Sequence, residues 1–538
     1  MSVTTTTTIT TTFSSEILPW TLIIITLYFT QFYFKYFNRS YPLPGPLPLP
    51  IVGNKLQYRG NPATWSKDLY SKYGDICELY MGSERQIWIS RGDLAAKIFS
   101  PLASNNFLIR ITPNQGLDEI DMTTKGLTFN LNVNNWYFNR QFFNKAITSP
   151  KFIKQAIVWT QIKADVDVMV VNISEWIVRF IMEVVVMMTT NKRVHSMANY
   201  YHNKLATNKM PKQSDIVLQE SEELIKNIHS WLVGLQFFMD TSEFSRKFIP
   251  SAKQKAEELR AEIDKLNNTF LNYVEERRSE IDNTSPEELL TPDILTMLLT
   301  VNTSRDITSN IRDDQHTRPL TDDEIRGNLL EVIGAGIDTT ANTFAFIVYH
   351  VAHYPEVKKQ MLEELNQVFN GDPDRPITYE DINKLTYCDA IIKEVSRLMS
   401  IVPIIFRTSI QDDTIAGKTI PASTQFMINT PMIHRHPLQW RDAEKFDPSR
   451  FLNKTTPKHS FLMFGNGLRM CPGKQLAMSQ IKTLICLLYM KYDVELEDMN
   501  APLKFHYSIV KHCDDLKIRI KPRIFGKKNN DCWVPVRT

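Results

Sequence analysis

One short segment, residues 464–473, carries the strongest chemical signal in the sequence and reads FGNGLRMCPG. It contains Cys471, one of only six cysteines, and the apolar residues that follow recur at helical spacing. The cysteine is therefore predicted to lie just before a helix N-terminus. Backbone N–H groups and the helix dipole there favour an anion, which predicts a lowered thiol pKa. The glycines permit tight turns and the close approach of a flat group.

Two side chains of this segment suit a flat, anionic metal cofactor. Arg469 presents a rigid fork of N–H donors to a carboxylate, and the thiolate of Cys471 is a soft ligand for iron. Together they suit haem, with the sulfur on the iron and the arginine on a propionate. The alternative is an inert buried cysteine in a glycine turn, which the whole segment disfavours.

Four companion motifs accompany this segment in a fixed order along the chain. They are WYFNR at 136–140, AGIDTT at 335–340, EVSR at 394–397 and FDPSRF at 446–451. With FGNGLRMCPG, which matches FxxGxRxCxG at every defined position, they resemble the cytochrome P-450 family of haem-thiolate monooxygenases, of the microsomal eukaryotic type. The resemblance covers nearly the whole chain. It implies the family's fold, mostly α with small β-sheets, preceded here by a single N-terminal transmembrane helix.

The resemblance implies a cofactor and the residues that hold it. The cofactor is haem b (iron protoporphyrin IX), with Cys471 as the metal ligand and Phe464 packed against the sulfur to shield it. Burying two propionates requires cationic and hydrogen-bonding partners. The resemblance assigns that role to four side chains: Trp136, Arg140, Arg407 and Arg469.

The resemblance also implies a catalytic pair and a structural network. Asp338 lies midway along an apolar helix, where a carboxylate is costly without a function. The family assigns it a proton relay from solvent, while Thr339 hydrogen-bonds the dioxygen. A helix-bending threonine that bonds its own backbone is the compatible alternative. Glu394, Arg397 and Arg450 are implied to form a buried ion network. Three nearby positions depart from the family pattern and put local stability in doubt: His436, Ala443 and Ser449.

Helical patterns dominate the body of the chain that must position these residues. A predicted N-cap at Thr321, with Glu324 at the capping-box position, opens one long helix that ends at Pro355 and carries the catalytic pair. Further helices are predicted over 355–369 and 387–401, and short strands at 76–81, 86–90 and 425–429. The polar stretch 281–318 predicts a surface loop.

The N-terminus predicts attachment to a membrane. Residues 1–40 comprise a Thr-rich tail and an anchor, 41–55 a proline-rich hinge, and 56–538 the haem-thiolate catalytic domain. The uncharged run 17–34 is close to the minimum length of a membrane span. Because basic residues follow it, the catalytic domain is predicted to be cytosolic, on a single-pass protein of the endoplasmic reticulum membrane. A cleaved signal peptide and a buried helix are the alternatives.

Composition narrows the implied partners. The formal net charge is +3 and no base-reading motif is present, which argues against nucleic acid as a partner. Scattered cysteines indicate a reducing compartment. The resemblance implies an NADPH-dependent flavoprotein reductase, with cytochrome b5 as a second candidate electron donor. Four basic residues near the cysteine are candidates for the docking face: Arg140, Lys145, Lys474 and Lys482.

Three functions fit the sequence. The first is a membrane-anchored monooxygenase that inserts one atom of dioxygen into a lipophilic substrate, with electrons from NADPH through the reductase. The second is a haem-thiolate isomerase, dehydratase or peroxygenase that needs no reductase. The third is a non-catalytic haem sensor. The Asp338–Thr339 pair favours the first, because neither of the others uses timed proton delivery.

Overall fold

The computed structural model describes residues 13–39, 41–57, 62–100, 106–161, 169–197, 200, 215–307, 318–415, 417–452, 457–523, 525–527 and 533–535. The Thr-rich tail up to residue 12, part of the 101–135 region, the centre of the polar 281–318 stretch and Cys532 lie outside these ranges. All statements below concern the described residues.

Helices form most of the described structure. In chain order they are α1 (Phe13–Phe37), α2 (Pro62–Tyr73), α3 (Gln115–Asp118), α4 (Val133–Thr148), α5 (Pro150–Thr160), α6 (Ile173–Thr190), α7 (Asp215–Asp240), α8 (Glu243–Phe248), α9 (Pro250–Asn283), α10 (Ile294–Thr300), α11 (Asp322–His353), α12 (Pro355–Phe369), α13 (Tyr379–Lys384), α14 (Thr386–Leu398), α15 (Thr430–Ile433) and α16 (Lys474–Lys491).

The strands are short and form small sheets. They are β1 (Ile76–Met81), β2 (Glu84–Ile89), β3 (Met169–Asn172), β4 (Ile404–Thr408), β5 (Asp413–Ile415), β6 (Lys418–Ile420), β7 (Gln425–Asn429), β8 (Tyr492–Leu496), β9 (Lys504–Tyr507), β10 (Lys511–Asp514), β11 (Lys517–Pro522), β12 (Phe525–Lys527) and β13 (Trp533–Pro535). One sheet has the order β1-β2-β7-β4 and another β3-β11-β8, and β5–β6, β9–β10 and β12–β13 form two-stranded pairs.

Helix α11 is the axis of the fold. Its start is fixed by a capping box in which Thr321 and Glu324 satisfy each other's backbone N–H groups, as the sequence predicts. The helix packs against α6, α9, α14 and α16. Its apolar side chains form the centre of the main hydrophobic core. A smaller core lies beneath the four-stranded sheet, whose strand β4 leads towards the cysteine segment.

The prediction of a surface loop over 281–318 is wrong for part of that stretch. Residues Ile294–Thr300 form helix α10, and all seven of its residues are buried. Asp293 caps this helix through a 2.9 Å bond from the Thr296 N–H. The apolar segment is too short to dominate the polar composition around it, so composition alone hides a core helix.

The predicted anchor lies within helix α1. Apolar side chains such as Trp20 and Ile24 are exposed on it, at 68% and 64%. Tyr33 donates to the Pro48 carbonyl at 3.3 Å, which joins the helix to the hinge. Among the described residues, the helix whose length and composition would allow a membrane span is α11, but two-thirds of its most apolar stretch is buried in the protein core.

The proline-rich segment packs against strand β1. The N–H of Glu78 on β1 donates to the Pro44 carbonyl at 2.9 Å. Arg39, at the end of the anchor, pairs with the same buried Glu78 at 2.5 Å. Gly45 approaches β1 so closely that a Cβ there would overlap the Glu78 carbonyl oxygen. The hinge is therefore held along the edge of β1 and does not extend freely from it.

Candidate functional site

The cysteine segment forms a tight loop ahead of α16. Cys471 lies two residues before Gly473, the N-cap of that helix, as the sequence predicts. The Cys471 N–H donates to the Phe464 carbonyl at 2.8 Å, which closes the loop. Gly465 and Gly467 adopt φ values of +68° and +70°, a left-handed conformation that glycine adopts without strain.

The environment of the Cys471 thiol differs from the sequence prediction. Burial raises its pKa, and this outweighs the Gly473 N–H and the positive charges of Arg140 and Arg110, which act in the opposite direction. The prediction of a lowered pKa considered the helix end but not the desolvation of the sulfur. The residue nevertheless keeps some accessible surface, so the protein does not enclose it completely.

Gly467→Ala is expected to impair cofactor retention and stability. A Cβ at this position would lie 2.5 Å from the Phe99 carbonyl oxygen, in addition to the left-handed strain of about 1–2 kcal/mol. Haem content per protein and the thermal midpoint would measure the effect. Gly74→Ala is the matched control, because Gly74 has φ +82° but a Cβ added there would have no atom within 4 Å. Equal losses in both variants would show that the cysteine loop tolerates a side chain there.

Arg469 is the hub of the loop. Its guanidinium is 3% exposed and donates to three backbone carbonyls, those of Leu108, Leu127 and Asn130, at 2.6, 2.8 and 3.3 Å. It also stacks over the Trp136 ring at 3.9 Å. The arginine thus joins the cysteine loop to α4 and to the 108–130 segment, in a geometry that only a planar guanidinium provides.

Four arginines come together around this hub without matching carboxylates. Burial lowers the pKa of Arg469 and of Arg407, and each also feels the positive charge of Arg110. Burial and Arg110 likewise lower the pKa of Arg140, to about 10. Guanidinium groups nevertheless keep their charge. Glu331 is the carboxylate whose charge opposes these shifts at Arg110 and Arg469. The cluster therefore has an unmet demand for anions.

The donor set fits haem. The indole Nε1 of Trp136 is buried and lacks a hydrogen-bond partner among the described residues, so it is available to an acceptor such as a propionate. Arg407, 2% exposed, donates to the Phe406 carbonyl at 2.7 Å. An unpaired donor and a surplus of buried cations match the two propionates, and the sulfur of Cys471, which lies near Arg140 and Arg110, matches the iron.

Two residues that are predicted to contact the cofactor, Arg140 and Phe464, hydrogen-bond the backbone at or next to Cys471. The Arg140 guanidinium donates to the carbonyl of Met470, the residue before Cys471. Phe464 is half-buried and bonds Cys471 through its backbone carbonyl. The described geometry brings these residues together with Cys471, and their direct contacts to haem remain predictions.

The predicted catalytic pair lies on a stretch of α11 that keeps accessible surface. Ala335 is exposed and Asp338 and Thr339 are half-buried, although the helix around them is buried. The Thr339 hydroxyl donates to the Ala335 carbonyl at 2.6 Å, which is the backbone-bonding alternative. Burial raises the pKa of Asp338 to about 6, against the opposing charge of His506. A carboxyl with this pKa can both take up and release a proton near neutral pH.

The glycines of this stretch serve helix packing. A Cβ on Gly336 would contact the Val185 side chain of α6 at 3.5 Å. A Cβ on Gly334 would overlap the Trp231 ring of α7. The small residues therefore let α6 and α7 approach α11, and Ala335 is the small residue that keeps accessible surface.

The predicted ion network is present, and its central pair is fully buried. Glu394 and Arg397 form a two-point ion pair with both distances 2.7 Å and both side chains 0% exposed. Arg450 lies 3.5 Å from the Glu394 carboxylate. Arg397 also donates to the carbonyls of His434 and Ala443 at 3.0 and 2.6 Å. The network therefore joins α14 to the segment that precedes the cysteine loop.

The three departures from the family pattern all have local partners. His436 lies 3.0 Å from the Asp75 carboxylate. Ala443 serves the network through its carbonyl, which alanine supplies as well as proline. The Ser449 hydroxyl donates to Asp447 at 2.6 Å within the turn. None of these positions leaves a charge of the network without a partner.

Sequence reasoning missed two charged residues of the site, Arg110 and Glu331. Arg110 donates to the Arg469 carbonyl at 3.3 Å. Glu331 accepts from the N–H groups of Leu127 and Thr128 and so holds the loop that bonds Arg469. Burial raises the pKa of Glu331 to about 7. Both lie as single charges in apolar runs, the signal that drew attention to Asp338, and could have been found in the same way.

One predicted docking residue is used inside the fold. Lys482 is buried on α16, where it pairs with Asp389 at 3.2 Å and lies 3.4 Å from the Ile382 carbonyl. The prediction that Lys482 belongs to a docking face is wrong, because its ammonium group pairs with Asp389 of α14 inside the fold. Lys474, at the start of α16, is exposed.

Comparisons with known proteins agree with this geometry. The sequence profile described as "Cytochrome P450" matches residues 43–519. A geissoschizine oxidase from Strychnos sp is 27% identical over 466 residues, covering 85% of this chain and 87% of that protein. An amorpha-4,11-diene 12-monooxygenase from Artemisia annua is 27% identical over 478 residues, covering 84% and 86%. A crystal structure of a cytochrome P-450 haem domain matches the fold with a TM-score of 0.70 at 20% identity, covering 90% of this chain and 99% of that one.

The Cys471 loop and the cationic cluster beside it agree with a family that binds haem iron. The chain belongs to the cytochrome P-450 family. Its fold is the family's, mostly helical with small sheets. The family binds haem iron, generally as haem b, and its members are generally monooxygenases.

Proposed function

We propose that the protein is a membrane-anchored monooxygenase that inserts one atom of dioxygen into a lipophilic substrate and reduces the other to water. Its electrons come from NADPH through a flavoprotein reductase, with cytochrome b5 as a second candidate donor. The observation that carries the proposal is the buried cationic cluster around Arg469 beside the Cys471 loop, together with the indole Nε1 of Trp136, which has no hydrogen-bond partner among the described residues. A sensor or an isomerase has no use for a buried carboxyl that titrates near neutral pH.

Haem, when bound, supplies the iron at which dioxygen is activated. Cys471 would ligate its iron, and Trp136, Arg407 and Arg469 would hold its propionates. Arg110 and Glu331 keep Arg469 in place through the loop contacts described above. The remaining work falls to the protein: the apolar face of α11 excludes water, and Asp338 takes up protons and passes them towards Thr339.

Membrane attachment is supported by large apolar side chains that are exposed near the hinge. Ile51 on the hinge, Leu56 just after it, and Phe244 and Phe248 on α8 are 77%, 70%, 67% and 68% exposed. The end of the hinge lies near the segment that leads into α8, because Lys55 is close enough to Asp240 to oppose the burial that raises the pKa of that carboxyl. Exposed apolar side chains of this size are typical of a protein that sits on a bilayer. The endoplasmic reticulum, with the catalytic domain in the cytosol, is the proposed location.

Removal of residues 13–37 is expected to convert the protein from an integral to a peripheral membrane protein. The full chain should stay in the membrane pellet after alkaline carbonate extraction, since a spanning helix resists it. The variant without α1 should be extracted by carbonate but retained at neutral pH through the exposed surface on the hinge and α8. Phe244→Glu combined with Phe248→Glu should then release it at neutral pH as well. Release of the full chain by carbonate would contradict the anchor.

The test of the function is NADPH consumption by the full-length protein with a flavoprotein reductase in phospholipid vesicles. The first candidate substrates are those named for the relatives: geissoschizine, amorpha-4,11-diene and germacrene A. A monooxygenase gives NADPH consumption together with an oxygenated product. Product without NADPH would indicate an isomerase, a dehydratase or, with peroxide, a peroxygenase. Haem binding with neither activity across a broad panel would indicate the sensor.

A further inference from the structure

Three asparagines form a chain of hydrogen bonds between α4 and α11, which we call the asparagine chain. Asn328 Nδ2 on α11 donates to Asn139 Oδ1 on α4 at 2.7 Å. Asn139 Nδ2 donates in turn to the backbone carbonyl and the side-chain Oδ1 of Asn135, at 2.9 and 3.1 Å. Asn135 Nδ2 then donates to the Glu324 carboxylate at 2.8 Å. Because Glu324 is also on α11, the chain begins and ends on the same helix.

Matching spacing on the two helices makes this chain possible. Asn135 and Asn139 are four residues apart on α4, and Glu324 and Asn328 are four residues apart on α11. Side chains at that spacing are neighbours on one face of a helix. Each helix therefore presents two groups at the same interval, and sliding one helix along the other would break both contacts. The asparagine chain thus fixes the register of α4 on α11.

The chain also reaches the loop that holds Arg469. Asn130 Nδ2 donates to Asn135 Oδ1 at 2.7 Å. The backbone carbonyl of the same Asn130 accepts from the Arg469 guanidinium at 3.3 Å. Trp136, over whose ring that guanidinium stacks at 3.9 Å, directly follows Asn135 on α4. The asparagine chain is therefore bonded to both sides of the candidate propionate site.

Burial makes the chain costly unless it has a function. Asn130, Asn139 and Asn328 are 1%, 0% and 0% exposed. A buried amide is unfavourable unless its polar atoms are paired, and Asn328 Oδ1 has no hydrogen-bond partner among the described residues. Apolar side chains would pack the two helices without this cost, so the amides indicate a need for one defined register.

We propose that Asn139 and Asn328 are positioning residues that align Trp136 and Arg469 for the haem propionates. The inference rests on the proposed function, because it takes the cationic cluster as a haem site. In this role the two amides act through α4 and the Asn130 carbonyl, and not by contact with the cofactor. Loss of the chain should leave the indole and the guanidinium in the protein but poorly aligned, so haem should be lost faster.

The first test is the rate of haem loss from the full-length holoprotein to an excess of a haem-scavenging apoprotein, which needs neither reductase nor substrate. Asn139→Leu keeps the approximate size of the side chain and removes its bonds to Asn135 and Asn328. We expect haem loss to be about tenfold faster, the factor that corresponds to one buried hydrogen bond.

Asn54→Leu is the matched control for this measurement. Asn54 is also 0% exposed, but its Nδ2 donates to the carbonyls of Pro46 and Leu47 in the hinge, at 3.3 and 3.2 Å. The control should lower the thermal midpoint, since it leaves buried polar groups unpaired. Its rate of haem loss should stay at the wild-type value.

The second test separates positioning from stability. Asn139→Leu alone leaves the Asn328 amide buried and unpaired, so the thermal midpoint of the haem-free protein should fall. Asn139→Leu combined with Asn328→Leu removes both partners and should restore most of that midpoint. Haem loss should stay fast in the double variant, because an apolar contact does not fix the register of the helices. A return to the wild-type rate of haem loss in the double variant would overturn the proposal, even if Asn139→Leu alone fails to fold.

The outcomes separate this inference from the proposed function. Equal rates of haem loss in Asn139→Leu and wild type would overturn the positioning role and leave the monooxygenase intact. Faster haem loss in Asn139→Leu, with a haem-bound wild type that forms no oxygenated product with NADPH, would overturn the proposed function and support the positioning role. A wild type that binds no haem would overturn both.

Discussion

Glu394→Ala is expected to destabilise the protein by about 3–5 kcal/mol, since it leaves the fully buried Arg397 without its counter-charge. The same change removes the acceptor of the Asp447 N–H at 2.9 Å and of the Arg450 ion pair. The segment before the cysteine loop would then lose its connection to α14, so haem content should fall together with the thermal midpoint. Circular dichroism melts and haem content per protein would measure both effects.

Glu444→Ala is the matched control for this change. Glu444 pairs with Arg435 at 3.1 Å in the same region, but its side chain is 76% exposed. Exposed pairs contribute little, so the thermal midpoint should barely move. Glu394→Gln keeps an acceptor but not the charge, and it should fall between wild type and Glu394→Ala. Equal stability of Glu394→Ala and Glu444→Ala would contradict the structural role of the network.

Cys471→Ser is expected to abolish oxygen activation while the fold persists. Serine is nearly isosteric with cysteine, and the bond from the residue 471 N–H to the Phe464 carbonyl involves only backbone. The substitution removes the thiolate, whose electron donation to iron favours O–O cleavage. NADPH-dependent product formation should therefore disappear, with a thermal midpoint close to that of the wild-type protein without haem.

Cys513→Ser is the control for loss of a thiol. Cys513 is buried on β10, and the bond by which it holds the β9–β10 hairpin comes from its backbone N–H. Burial raises its pKa to about 12, with Asp514 adding to the shift. Cys513→Ser should retain haem and activity. Activity in Cys471→Ser comparable with that of Cys513→Ser would remove Cys471 from the mechanism.

Local sequence signals predicted much of the site. The capping box at Thr321 placed the start of α11, and the helical spacing of the apolar residues after Cys471 placed that cysteine ahead of a helix. A charge in an apolar helix drew attention to Asp338, whereas Arg407 was assigned from the family resemblance. These features depend on residues a few positions apart, so periodicity and capping rules capture them.

The rest of the site depends on contacts between distant parts of the chain. Arg469 bonds carbonyls more than three hundred residues away, at Leu108, Leu127 and Asn130. The burial of Lys482 and the attachment of the β9–β10 hairpin to Asn342 are of the same kind. No local pattern encodes such pairings. Desolvation of the Cys471 thiol also follows from the whole fold, which is why the predicted direction of its pKa shift was wrong.

The central claim is that Cys471 holds a haem iron through its thiolate, and the absorption spectrum of the dithionite-reduced protein under carbon monoxide tests it most directly. We expect a strongly red-shifted Soret band in the wild type that is absent in Cys471→Ser, since the thiolate is the source of that shift. A band at the shorter wavelength typical of histidine- or thiol-ligated haem, in a well-folded wild-type protein, would show that the Cys471 thiolate does not ligate the iron.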